Sequence, residues 1–525
     1  MKKYIVFSIM ALALGLTSCN KFLDKMPDNR AEVDSETKVQ NILVEAYPQN
    51  DYIQVNELLS DNVDRYMANN PNTTRYFDQV YEWQDITETN NESVDKLWSS
   101  CYSAIANANL ALEGIENMGT TSKSILEAKG EALLCRAYAH FLLVNTFCMA
   151  YSSQKGTQYM GIPYIEEPVT TLDPKHDRGT VADVYAKIDR DLQEALPIIG
   201  SSYMTVPKYH FNQKAAQAFA ARFYLYYEKW DLAVKYATMC LGSNPSTLLR
   251  DYSTLQNLGS DYEVVTNHFV DTGINANLLL LTTYGDLYYL FGPYSTYKKY
   301  SHVDYINNNE TMGAQNVWGT GGLKFRVRSY NGANFNMNIF WKFPKMFEYT
   351  DPVAGNGYRR SVYPAFTTDE CLLNRAEAYI MLQKYDEAAQ DLTTWLTNFT
   401  TVTGSLTPDY VTAFYNSKNY SYSDDSRMLS TVKKHLNPGF TIDAEGSTQE
   451  CMLQCVLGFR RIETMEQGLR WWDIKRYGIE IPRRTVNVAG NPESIDDWLG
   501  VDDPRRAAQI PQKVRDAGLT PNPRN

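Results

Sequence analysis

After one apolar run of thirteen residues, no second long apolar run follows in this 525-residue chain. A bilayer-spanning helix takes about 20 such residues, so nothing in the body of the chain can cross a membrane as a helix. The run itself, Tyr4 to Leu16, is also too short to span. Catalytic signatures are missing as well. There is no GxSxG elbow, no GxxxxGK phosphate loop, no HExxH and no GxGxxG after a strand. Histidine is scarce: the six (His140, His176, His210, His268, His302 and His435) are dispersed and show no ligand spacing. Cysteine supplies no disulfide framework. Of eight, Cys19 stands apart, and the seven that remain are an odd number at irregular intervals. Cys451 and Cys455 lie four apart, but no nearby His or Cys completes a metal set. Cys101, Cys135, Cys148, Cys240 and Cys371 sit in apolar, helix-like surroundings, where a thiol packs as a small hydrophobe. Positive charge is also in deficit. Fifty basic against 61 acidic residues leave a net charge of −11, which argues against nucleic acid or an anionic membrane surface as partner. No cofactor or metal is expected.

What is present begins at the N-terminus. Lys2 and Lys3, the apolar run, and then Leu16-Thr17-Ser18-Cys19 form the pattern of a bacterial lipoprotein signal. The leucine stands at −3, small residues follow, and the cysteine stands at +1. Residues 1–18 are therefore expected to be removed, with Cys19 as the lipid anchor and residues 19–30 as a lipidated tether. Each buried CH₂ of an acyl chain such as palmitate contributes roughly 0.8 kcal/mol, so two or three chains anchor stably. A hydrophobic content of 44% gives the remainder a core. Thirty-eight tyrosines and nine tryptophans are in excess. Part of that excess must be core, but such rings also suit a group stacked on one side and hydrogen-bonded on the other, so their location decides more than their number.

Periodicity predicts helices over Ser93–Asn117, Ser124–Phe147, Val181–Ile199, Asn212–Cys240 and Asp369–Leu396. Two of these segments match each other without a gap. AARFYLYYEKWDLAVKYA from Ala220 and RAEAYIMLQKYDEAAQDL from Arg375 pair Ala221 with Ala376, Tyr224 with Tyr379 and Trp230-Asp231 with Tyr385-Asp386. Small residues allow close helix approach, and the aromatic–Asp pair marks a turn, as in a tetratricopeptide-type hairpin. Ser93–Phe147 reads as a further copy. The copies are far apart in sequence, so the expectation is a mainly α scaffold of helical hairpins with large irregular loop and short-β insertions. Its helices span about 93–242, 367–398 and 451–478. The insertions span about 60–92, 244–366 and 398–450, with short β pieces at Leu278–Thr282 and Lys324–Arg328.

Several stretches carry a resemblance. Cys19-Asn20-Lys21-Phe22-Leu23-Asp24 with Pro27, the helix containing Arg136-Ala137-Tyr138, and the two matched hairpins resemble the SusD/RagB family of outer-membrane nutrient-binding lipoproteins. RRIETMEQGLRWWDIKRYG is the most specific. Glu463, Gly468, Arg470, Trp471, Asp473 and Arg476 fit the family's pattern, while Gln467 replaces its Glu. Spacings of three place Arg470 with Asp473 and Asp473 with Arg476 along one helix, a structural clamp. The resemblance extends over 31–525 as a single SusD-like domain. It implies a non-catalytic, cell-surface lipoprotein of the outer membrane that binds oligosaccharides, or in some members peptides. The ligand passes to a SusC-like TonB-dependent transporter.

A sugar ring has an apolar face and a hydroxyl rim, so it calls for an aromatic platform beside amide or charged groups. The loops of the insertions are the natural place for it. Tyr81, Trp83, Tyr289, Tyr294, Trp318 and Trp341 are the candidate platforms, with Asn62, Arg65 and Asn91 as polar partners. Two other classes remain open. A peptide-binding adaptor would use the hairpin groove and have little need of aromatic insertions. A surface glycosidase would need paired carboxylates in the aromatic cleft.

Overall fold

The computed structural model describes residues 33–168, 176–293, 299–325, 328–332 and 335–524. The signal, the tether with Cys19, and Tyr294 lie outside these residues. Helices start where the sequence offers caps. The Ser93 hydroxyl accepts the Lys96 N–H at the head of Val94–Met118, which ends at Gly119 with φ 61°. Ser122 caps Lys123–Phe147, and Thr180 with Asp183 forms a capping box on Val181–Ala195. Val94–Met118 packs on Lys123–Phe147, Gln213–Tyr226 on Trp230–Leu241, and Thr368–Met381 on Tyr385–Phe399. Lys123–Phe147 is buried on nearly every side, so it is the central helix. Arg136 ties three helices together, reaching Asp191 at 2.7 and 2.8 Å and Asn109 at 3.0 Å.

The two matched segments fold alike down to the turn. Glu228 and Gln383 occupy the same place in the alignment and hold left-handed backbones, φ 59° and 58°. The next residue's N–H closes each turn on a tyrosine carbonyl, Lys229 on Tyr224 and Lys384 on Tyr379, both at 2.9 Å. All seven cysteines from Cys101 to Cys455 are free and buried.

The expected clamp of Leu469–Arg476 onto the scaffold forms, with one of its two expected local pairs. Asp473 and Arg476 do pair along Leu469–Arg476, at 3.2 Å. Arg470 instead grips Asp61 at 2.8 and 2.9 Å, because its side chain points across to the segment after Ile53–Leu59. Arg460 holds Asp473 at 2.8 Å and also grips Glu377, which takes Arg476 at 2.6 Å. Glycine is required at 468: φ is 75°, and a Cβ would sit 3.0 Å from the Ile53 Cα. Trp472 then stacks on Tyr52 at 4.6 Å.

Among the described residues, three small sheets sit around the helices. One orders Tyr300–Ser301, Asp64–Tyr66, Ile481–Val486 and Pro492–Leu499. A second orders Asn277–Tyr284, Asn356–Thr367 and Met346–Asp351, and a third pairs Arg328–Gly332 with Phe335–Ile339. The Leu278–Thr282 prediction falls inside the first strand of the second sheet. Of the Lys324–Arg328 prediction, Arg328 lies in a strand and Lys324 and Phe325 do not, while 326 and 327 lie outside the described residues. Lys324 donates its N–H to Phe399 and so joins the end of a helix instead of a sheet.

Candidate ligand-binding site

The expected platforms divide into an inward set and an outward set. Trp83 and Tyr81 are 3% and 1% exposed. Arg483, from Ile481–Val486, lies over both rings, 4.2 Å from the centroid of Tyr81 and 3.8 Å from that of Trp83. Their polar ends are also taken: the Trp83 indole donates to the Leu59 carbonyl, and the Tyr81 hydroxyl to the Arg484 carbonyl. Asn62 is buried as well, bonded to Glu57 at 2.7 Å and Arg461 at 2.9 Å. These three residues offer no open ring or amide edge. Asn62 ties Glu57 of Ile53–Leu59 to Arg461 of Thr448–Glu463. Tyr81 and Trp83 join the early segment to the C-terminal sheet, a task that stacked guanidinium–aromatic layers do well. Arg65 belongs to the same junction, spanning Thr485 at 2.8 Å and Asp496 at 2.7 Å. Trp318 is half-buried against Phe459 and Trp395, at centroid distances of 5.6 and 6.3 Å.

The outward set forms two features. The first is a tyrosine–arginine platform. Arg359 lies 4.1 Å over Tyr289 and Arg360 3.6 Å over Tyr284, with Tyr358 edge-on to Tyr284 at 5.4 Å. The exposed Asn91 flanks it, since the Asn50 amide bridges the carbonyls of Asn91 and Tyr284 at 2.8 and 3.4 Å. Tyr284 and Tyr358 were absent from the candidates. Their signal is faint, because they sit on paired strands of an insertion whose outer half is exposed on both faces.

Carboxylates lie directly beneath this platform. Asp286 pairs with Arg359 at 3.1 Å, and its own N–H donates to Glu92 at 2.7 Å. Asp51 accepts from the Thr283 hydroxyl at 2.9 Å. Burial pushes the Asp51 carboxyl up to about 6. Burial, with the neighbouring charges of Asp51 and Asp286, holds Glu92 well above the usual carboxylate range. Gly285 lies over them, where a Cβ would be 2.6 Å from Glu92 Oε1 and 3.4 Å from Asp51 Oδ2. Asp51 and Glu92 are buried and brace the platform from below, while Asp286 is partly exposed beside Arg359.

The second feature is a recess of about 560 Å³, within the range of small-ligand pockets. Trp341 forms one wall, edge-on to Tyr262 at 5.5 Å. Arg328 lies 4.7 Å over the indole and is steadied by a 2.7 Å bond to the Gly259 carbonyl. Gln256, Asn257 and Ser260 line the opposite rim. The buried Trp341 N–H finds no acceptor among the described residues. The recess thus combines an aromatic wall, a fixed cation and an amide-rich rim.

Residues 21–225 match a family model, SusD-like, described as starch-binding and associating with the outer membrane. No curated protein matches the chain. Among solved structures, a putative sugar-binding protein from Bacteroides vulgatus shares 18% identity with a TM-score of 0.66. That likeness covers 94% of this chain and 99% of the other. A SusD superfamily protein from Bacteroides thetaiotaomicron shares 18%, with a TM-score of 0.60 over 94% and 100% of the two chains. A SusD superfamily protein from Bacteroides vulgatus shares 18%, with 0.63 over 93% and 99%. At that identity the likeness to these structures is one of fold.

Proposed function

Because the chain belongs to the SusD/RagB family, by its family match over residues 21–225 and its fold, we propose that it binds carbohydrate without cleaving it. On this reading it is a lipoprotein held by Cys19 at the cell-surface face of the outer membrane. It presents oligosaccharides to a SusC-like TonB-dependent transporter. The observation that carries the reading is the Trp341 recess, whose wall suits the C–H face of a sugar and whose rim suits its hydroxyls. The platform of Tyr284, Tyr289 and Tyr358, with Asn91 at its side, extends the surface a chain of sugars could follow.

A glycan and peptide array, followed by calorimetry on the best ligand, tests the reading. Stacking contacts are worth roughly 0.5–1.5 kcal/mol by analogy with aromatic pairs, so Trp341→Ala should weaken binding about two- to tenfold. Binding of peptides and no glycan would replace the carbohydrate assignment with a peptide one. Many turnovers of a bound oligosaccharide by pure protein would defeat the non-catalytic part. Anchoring is checked by fractionation. Cys19→Ala should fold yet lose both fatty-acid label and membrane partition, and undiminished partition would mean another anchor.

A further inference from the structure

A separate recess, of about 250 Å³, lies between the loop from Ser421 to His435 and Trp498. It shares no lining residue with the Trp341 recess. The loop is tied tightly. The Tyr422 N–H donates to the Leu429 carbonyl at 2.7 Å, and the Asp424 carboxylate accepts the Leu429 N–H at 2.7 Å. Within it Tyr422 and Arg427 both hold left-handed backbones, φ 64° and 55°. Neither is glycine, and strain of this kind persists where surrounding structure enforces it, often at ligand clamps. Its effect here is to bring both side chains onto one ring. Tyr422 meets Trp498 edge-on at 5.4 Å, and the Arg427 guanidinium lies 5.0 Å over the indole.

Both other basic side chains at this recess, Lys434 and His435, face a carboxylate, whereas the Glu480 carboxylate meets only the Trp498 N–H among the described residues. Lys434 donates to Glu310 and to the Tyr422 hydroxyl, each at 2.8 Å. His435 faces Glu445 at 2.6 Å, and Glu480 accepts the Trp498 N–H at 3.3 Å. Arg427 alone carries neither a hydrogen bond to its guanidinium nor an ion pair among the described residues. A guanidinium fork fits a carboxylate in a bidentate way. The volume suits one sugar ring and not a chain of them. We infer that this recess takes a single carboxylate-bearing sugar residue, a hexuronic acid, with Arg427 receiving the carboxylate and Trp498 the ring. It is a second site, independent of the one at Trp341.

Saturation-transfer NMR titrations with D-glucuronate, D-galacturonate and D-glucose test this on the full soluble chain. Saturable binding of at least one uronate is expected, with glucose bound at least tenfold more weakly. Arg427→Gln should reduce uronate affinity tenfold or more, and Arg427→Lys less. Trp498→Ala should reduce it severalfold, whereas Trp341→Ala should leave it unchanged. Arg427 is exposed, so its variants should keep the wild-type melting temperature. The inference is overturned by absence of uronate binding at tens of millimolar, by equal binding of glucose, or by a full response of Arg427→Gln. Loss of uronate binding in Trp341→Ala alone would assign the ligand to the first recess and equally overturn the second site.

Discussion

Arg460→Ala is expected to lose about 3–5 kcal/mol of stability, the cost of leaving buried charges with one partner removed. Arg460 is 1% exposed and bridges Asp473, at 2.8 and 2.9 Å, to Glu377. Arg476 closes the ring through both acids, and the Tyr477 hydroxyl donates to Glu377 at 2.6 Å. Burial works against the charge on Glu377, but Arg460 and Arg476 outweigh it and hold the carboxyl at about 2. Without Arg460, two carboxylates face a single guanidinium where water cannot compensate. Urea unfolding measures the loss directly. Arg460→Lys keeps the charge but not the fork, so it should lose less and provides a folded variant if the alanine form does not accumulate. The expectation fails if Arg460→Ala moves the urea midpoint no more than a surface Arg→Ala. Ligand affinity per folded molecule should be unchanged, because the ring joins scaffold helices and lines neither recess.

How much of this was legible follows from how local each interaction is. The scaffold was legible because its signal is local: apolar periodicity through Ser93–Asn117 and Ser124–Phe147, and two hairpins alike to the left-handed residue of their turns. The clamp's residues were legible as a motif, but Arg470's partner was not, since Asp61 lies about 400 positions away. The same distance hid the fate of Tyr81 and Trp83. Sequence shows rings in a polar loop, and only the fold supplies Arg483 to cover them. The strand Ile481–Val486 carries two arginines yet is buried throughout, an arrangement no apolar pattern announces. Its charges are tolerable because Asp64 and Glu310 meet Arg484, and three carbonyls of the 58–60 segment meet Arg483. Conversely, the Met346–Asp351 strand is exposed at every position, so alternation could not mark it. The Tyr289 and Trp341 expectations rested on composition, and the geometry gives each an arginine that composition does not reveal.

Stability should fall as pH rises from about 4 to 7, and Asp51→Asn should remove much of that fall. Asp51 accepts the Ile53 N–H at 3.0 Å and the Thr283 hydroxyl, yet these bonds do not offset its burial. Its folded pKa, about 6, lies above the usual carboxylate value. The folded state therefore holds a proton that the unfolded chain releases. The group imposes no penalty below its unfolded pKa, and stability declines as pH rises through the folded one. At pH 7 the decline from Asp51 is on the order of 3 kcal/mol, as one pKa unit is worth about 1.4 kcal/mol. Glu92, also raised, adds in the same direction at higher pH. Depressed acids such as Glu377 act oppositely: their contribution is complete above about 4.5 and lost as pH drops towards 2. The two trends place the optimum near pH 4–5. Asparagine keeps the shape of the protonated acid and can reverse its bond with Thr283. Asp51→Asn should match wild type at pH 4 and exceed it by about 1–3 kcal/mol at pH 8 in urea titrations. A variant destabilised at pH 8 and not at pH 4 would show that Asp51 is wanted as an ion. The acids would then anchor the platform by charge, through Asp286 and Arg359.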